Sequence, residues 1–261
     1  MNKTAIFVDG GFYRKRAATR WGHKSPKLRA NELYAYCMSH IQKVRTNDVY
    51  IYSDNKQLHP KDCVGSDRQL YRIFYYDCNP LSKVVYHPFL KKNIDFEKTD
   101  TYKWTLEFFS YLKEQRKMCL RKGYLLDSDA TFAIKPNKMK ALLHNQITLD
   151  DLTEMDFSPS WRQKGVDMKL GIDIASLAYR RQVDQIILIA GDSDFVPAAK
   201  VARREGIDVI LDPMGMSSIA DSLKEHIDGV QTCWVKNNVK KNESQTMEKK
   251  SEITEDDEIE E

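Results

Sequence analysis

A chain of 261 residues, 41% hydrophobic and 30% charged, is long enough for one large α/β domain or two small ones and has the composition of a globular protein with a well-charged surface. No apolar stretch approaches the length of a membrane span, so no membrane partner is expected. The net charge of +3 is unevenly spread: from Asn237 onward four lysines stand against nine acids, −5 in all, which leaves +8 on residues 1–236.

A basic body favours an anionic partner such as nucleic acid. The acidic tail, 237–261, is almost free of apolar residues and periodicity, and is expected to be disordered. The five cysteines (Cys37, Cys63, Cys78, Cys119, Cys233) are odd in number, scattered and never spaced C-x-x-C. That pattern argues against a disulfide framework or a structural zinc and fits a reducing cytoplasm. The short apolar run Ile6-Phe7-Val8 leads into Asp9 and two glycines, so no signal peptide is expected.

In chain order, the pattern predicts a first strand over Thr4–Val8, a helix near Asn31–Val44, and strands at Val49–Tyr52 and Tyr71–Tyr76. The middle, about 91–162, is less regular. It holds an amphipathic helix near Tyr102–Lys117, β-like runs at Tyr124–Leu126 and Thr131–Ile134, and a helical piece near Lys138–Leu143. Regular alternation then returns: helix Val166–Arg180, strand Gln185–Ala190, helix Phe195–Arg204, strand Ile207–Leu211, helix Ser217–His226 and strand Val230–Val235. Strands alternating with helices indicate βαβ units and a mainly parallel sheet flanked by helices. The reading is one α/β domain over 1–236 with an α/β insertion at about 91–162.

Aspartates stand where the predicted strands end. Asp9 closes the first strand, Asp192 and Asp194 follow Ile186–Ala190, and Asp167 opens the helix before it. In an open α/β sheet the carboxyl ends of parallel strands border the ligand crevice. Carboxylates gathered there repel one another unless protons or a cation neutralise them, and a hard divalent metal with oxygen ligands is the simplest solution. Each acid has a plainer explanation. Asp167 falls inside the apolar stripe Val166, Leu170, Ile174, Leu177, Ala178, with Asp173 at its edge; there it could form a buried salt bridge or favour a helix dipole. Asp194 could simply cap the helix that Pro197 begins. Together the four favour a metal-dependent phosphodiester enzyme.

The segments Phe7-Val8-Asp9-Gly10-Gly11, Tyr75-Tyr76-Asp77, Lys164-Gly165-Val166-Asp167 with Asp173, and Gly191-Asp192-Ser193-Asp194-Phe195-Val196-Pro197 occur in an order that resembles the NYN domain family, nearest its LabA-like branch, within the PIN-like nuclease superfamily. The resemblance covers about 3–91 and 160–235. It implies a Rossmann-like (PIN-like) fold and a Mg²⁺- or Mn²⁺-dependent endoribonuclease. Asp9, Asp167, Asp192 and Asp194 match the acidic motif of catalytic and metal-binding residues, while Asp77, Asp173 and Ser193 would support them from behind. Asp9 and Asp192 are expected as direct ligands, Asp167 and Asp194 directly or through water. Many members carry an asparagine shortly after the first Asp-Gly, where this chain has Gly11-Phe12-Tyr13.

The basic run Arg14, Lys15, Arg16, Arg20 and Lys24, with Trp21 among it, is a candidate RNA-binding path, single-stranded or structured RNA being the expected partner. Its plainer reading is a solvated helix face. A dehalogenase-type phosphatase would want an acid at position 11, which is Gly, and a dinucleotide-binding fold would want G-x-G-x-x-G after the first strand. No histidine falls in the acidic motifs. The rival function is a catalytically silent module that binds RNA or protein, and a homo-oligomer or protein partner is compatible with either.

Overall fold

The computed structural model describes residues 2–41, 49–53, 56–57, 68–216 and 219–235. The acidic tail, the end of the helix expected to reach Val44, and the start of the one expected at Ser217 lie outside these residues. The strands are β1 (Asn2–Asp9), β2 (Val49–Ser53), β3 (Lys56–Gln57), β4 (Arg68–Cys78), β5 (Val84–His87), β6 (Lys92–Asp95), β7 (Met118–Ile134), β8 (Phe157–Lys164), β9 (Gln185–Ile189), β10 (Asp208–Asp212) and β11 (Gly229–Val235). The helices are α1 (Gly10–Trp21), α2 (Pro26–Ser39), α3 (Asp100–Glu114), α4 (Pro136–Leu143), α5 (Val166–Tyr179), α6 (Val196–Arg204) and α7 (Asp221–Lys224). None of the described helices is long and apolar enough to cross a membrane.

Among the described residues the main sheet runs β3-β2-β11-β10-β9-β1-β4-β7-β8. From β11 to β7 every neighbouring pair is parallel; β2, β3 and β8 extend the two edges antiparallel. The three parallel strands that come first in the chain, β1, β4 and β7, spread to one side, and β9, β10 and β11 to the other. The direction of winding therefore reverses between β1 and β9, where the register pairs Val8 with Ile189. Open α/β sheets bind ligands beyond the carboxyl ends of the strands at such a reversal.

Period-two alternation explains why the central strands read as continuous apolar runs: both faces are covered. Ala5, Phe7, Phe74, Tyr76, Ile186 and Leu188 point into a core shared with α5 and α6. Their neighbours Ile6, Val8, Ile73, Tyr75, Ile187 and Ile189 point into a second core with α1, α2 and α3. The middle segment is less separate than an insertion. α3 packs in that second core through Phe108, Phe109 and Leu112, and β7 continues the parallel sheet, pairing Ile73 with Met118 through Cys78 with Gly123. The two β-like runs expected at 124–126 and 131–134 are parts of this one long strand, whose far half leaves the parallel sheet to pair with β8. β5–β6 and α4 are the additions outside the main layers.

α1, which basic residues obscure in the sequence, starts directly at the end of β1. Asp9 caps it, accepting a hydrogen bond from the Phe12 N–H at 3.1 Å. Gly10 makes this turn possible: a Cβ there would stand 2.5 Å from the Tyr76 carbonyl and 2.6 Å from the Tyr75 ring. α7, expected over Ser217–His226, is a single turn over Asp221–Lys224.

Candidate active site

Three elements bring the acids to one edge of the sheet. β1 delivers Asp9, the loop after β9 delivers Asp192 and Asp194, and the first turn of α5 delivers Asp167. Gly191 keeps the β1 and β9 ends close, since a Cβ there would meet the Phe12 ring at 2.5 Å. The Phe12 ring thus lies against Gly191 at the winding reversal.

The electrostatics link the group. Burial pushes the Asp9 carboxyl up to about 6; the Phe12 N–H opposes this, and the charges of Asp167 and Asp77 add to it. Asp167 is also raised, by partial burial first and then by Asp194 and Asp192. Asp77, Asp9, Asp167 and the Asp192/Asp194 pair therefore form one row of mutually repelling carboxylates along the ends of β4, β1 and β9.

Pairing divides this row. Asp77, 1% exposed, is held by Arg14 Nη2 at 3.1 Å, by the Tyr75 hydroxyl at 3.0 Å and by the Cys78 N–H at 2.8 Å. Burial nonetheless raises its pKa against all three. Asp173 accepts from the Tyr76 hydroxyl at 2.7 Å and pairs with Arg121 Nε at 3.0 Å, so it fastens α5 to the sheet. Asp167, Asp192 and Asp194 are exposed and have no basic partner among the described residues; Asp192 Oδ1 accepts only from the Asp194 N–H, at 3.2 Å. The sequence stripe places Asp167 toward the core, but as the second residue of α5 it sits at the sheet edge and turns to solvent. That removes the buried-salt-bridge explanation for it. Ser193 is exposed between the two acids.

The donor set is of the kind a hard cation takes: carboxylate oxygens at a solvent-open edge, without imidazole or thiolate among the described residues, with Asp9 and Asp167 disfavoured as anions by burial and by neighbouring carboxylates. Among the described residues no three such groups converge to a closed cage. An octahedral cation that keeps several waters and takes few carboxylates directly does not require such a cage. Asp9, Asp167, Asp192 and Asp194 are the residues that would hold it.

The basic run is spent largely on the fold. Arg14 binds Asp77; Arg16 Nη2 and Arg20 Nη2 donate to the Met214 and Gly215 carbonyls at 2.9 and 2.7 Å; Lys24 pairs with Glu32. Trp21 packs edge-on against Tyr36, centroids 5.5 Å apart. Lys15 is exposed.

A fourth strand-end acid escaped the sequence reading. Asp212, fully buried at the end of β10, accepts from the Tyr36 hydroxyl at 2.5 Å and from the Met214 N–H and the Thr232 hydroxyl at 2.8 Å, and lies 2.8 Å from His40 Nε2. Burial alone would lower the His40 pKa; Cys233, 3.5 Å from Nδ1, and Asp212 override it and raise it to about 10. The same rule that picks Asp9, an Asp closing an apolar run, finds Asp212, but only the fold shows that its partners leave it no room for a ligand.

The sequence profile of the NYN domain matches residues 93–232. That is more than half of the chain, and the chain belongs to the NYN family of the PIN-like nuclease superfamily. The match takes in the middle segment and includes Asp167, Asp173, Asp192 and Asp194, whereas Asp9 and Asp77 precede it. No curated protein matches the chain. A solved structure of a protein of unknown function from Vibrio parahaemolyticus is similar at 12% identity and a TM-score of 0.42, over 88% of this chain and 91% of its own.

Proposed function

We propose that this chain is a divalent-metal-dependent endoribonuclease that hydrolyses RNA phosphodiester bonds at the carboxylate row. The family supports a nuclease-like function. The observation that carries the finer reading is the placement of Asp167, Asp192 and Asp194, without basic partners among the described residues, beside the partly buried Asp9 at the winding reversal. When bound, Mg²⁺ or Mn²⁺ supplies a lowered pKa for an attacking water and charge stabilisation for the departing 3′-oxygen. The protein's part is to present carboxylates rigidly: the α1 cap fixes Asp9, the Asp194 N–H fixes Asp192, and Arg14 holds Asp77 behind them. Four described cysteines, all free thiols, support the cytoplasm as the place of action. The Gly191–Pro197 block supports the LabA-like branch.

Asp9→Asn and Asp192→Asn should each keep the fold and lose Mn²⁺-dependent cleavage of RNA. Full cleavage by either variant removes that residue from the site. The openness of the carboxylate row favours a second reading, an RNA- or protein-binding module without hydrolysis. Intact RNA after incubation of wild-type protein with Mg²⁺ or Mn²⁺, alongside measurable RNA binding, would select it.

A further inference from the structure

Just beyond Asp77, the carboxyl end of β4 opens into a cleft of ≈350 Å³ that the acidic motifs do not use. Its walls come from the residues after β4, from the start of α3 and from β8, so the middle segment builds most of it. The volume is at the small end of small-molecule pockets, ~300–1,000 Å³. Tyr102, Leu125 and Trp161 give it flat apolar sides, and Asn79 and Gln163 add two side-chain amides. Trp161 is set by an edge-on contact with Phe96, centroids 5.1 Å apart at 83°. Both amides are exposed and have no protein hydrogen bond among the described residues.

Arg14 stands on the wall of this cleft and of a neighbouring one of ≈530 Å³ that Lys24, His23 and Trp104 also line. Asp77 fixes the Arg14 guanidinium through Nη2, and the side chain stays 29% exposed on the cleft wall. A fixed, partly exposed cation favours an anionic or carbonyl oxygen. Aromatic faces, amides able to bond a base edge, and the Arg14 guanidinium between the two clefts are together the chemistry of one unpaired nucleobase on a phosphate chain. A base still paired in a duplex cannot enter a cleft of this kind.

We propose that this cleft is a base-binding subsite: it takes one unstacked nucleobase of single-stranded RNA, stacked by Trp161 and Tyr102 and read by Asn79 and Gln163, with Arg14 on the adjoining phosphate. The choice of RNA rests on the ribonuclease reading. The subsite makes the enzyme one for single strands and gives it a base preference.

The test is binding of labelled oligonucleotides in EDTA, so that cleavage plays no part. Wild-type protein should bind single-stranded RNA better than the duplex of the same sequence. Trp161→Ala should weaken single-strand binding on the order of tenfold and leave duplex binding unchanged. The double change Asn79→Ala/Gln163→Ala removes only exposed amides, so it keeps the fold measurable if Trp161→Ala does not; it should erase differences among homopolymers. Free nucleoside monophosphates should compete only at far higher concentration than the oligomer. Wild-type affinity and base preference in the double variant, equal losses on duplex and single strand, or competition by mononucleotide at equal concentration would each overturn the proposal. Slot-dependent binding by a wild-type protein that cleaves no RNA with Mn²⁺ would remove the ribonuclease reading and leave the subsite standing.

Discussion

At the scale of single residues, the aspartates of this chain look alike in sequence and differ in what surrounds them. Asp77 is buried, and the partly exposed Arg14 is its cation. Arg14→Ala should therefore destabilise the fold, on the order of 2 kcal/mol, because it strands a carboxylate that keeps only neutral donors. Lys15→Ala should leave stability alone and reduce the salt dependence of RNA binding. Comparing the two in urea melts and salt titrations separates a cation that the fold needs from one that it does not; equal loss of stability in both would contradict this division. The Asp212–His40 pair makes a pH prediction. With its folded pKa raised to about 10, His40 contributes stability that is complete below its unfolded value of about 6.5. That contribution is lost as pH rises through about 10. Wild-type protein should thus lose stability between these limits, and Asp212→Asn should both lower stability by about 3–5 kcal/mol at pH 6.5 and flatten the alkaline decline. Parallel pH profiles for the two proteins would show that His40 is not the group responsible.

Among the elements, close approach decides where glycine is needed. At Gly10 an added Cβ meets the Tyr76 backbone and the Tyr75 ring, neither of which can retreat without opening the junction of β1, β4 and α1. Gly10→Ala should cost about 1–3 kcal/mol by overpacking. Gly171, inside α5, is the opposite case. Its nearest neighbour to a new Cβ is Ala198 Cβ at 3.9 Å, an ordinary contact, so Gly171→Ala should stabilise by up to about 1 kcal/mol through helix propensity. Thermal melts of the two variants should move in opposite directions; a shift of the same sign in both would refute the packing argument. The same scale explains α5 itself. The Asp173 bonds to Tyr76 and Arg121 pin its middle to the sheet, and this keeps Asp167 in its first turn at the sheet edge.

For the whole molecule, charge sets the expectation. Residues 1–236 carry +8 and the last 25 carry −5. A tethered anion competes with RNA at a high effective concentration. Deleting residues 240–261 should tighten RNA binding at low salt, and the gain should fade as screening increases. Equal affinities of the full and shortened chains at low ionic strength would reduce the tail to a segment with no part in binding.

The sequence by itself determined the class of sheet and where acids stand beside its strands. Ile6-Phe7-Val8 and Ile186–Ala190 are apolar on both faces because helices cover both, and Asp9, Asp167, Asp192 and Asp194 are visible because each follows such a run or opens the helix beside one. Local rules reach that far because strand period, capping and turn chemistry act over a few residues. Only the tertiary structure decided that the middle segment supplies α3 and β7 to the main layers. It alone decided that Arg14 belongs to Asp77, that Asp173 belongs to Tyr76 and Arg121, and that Asp212 is closed by Tyr36, His40 and Thr232. These partners lie 52 to 176 residues apart, except Thr232 at 20. A charge's role depends on what is packed against it, and packing across such separations leaves no periodic trace in the chain.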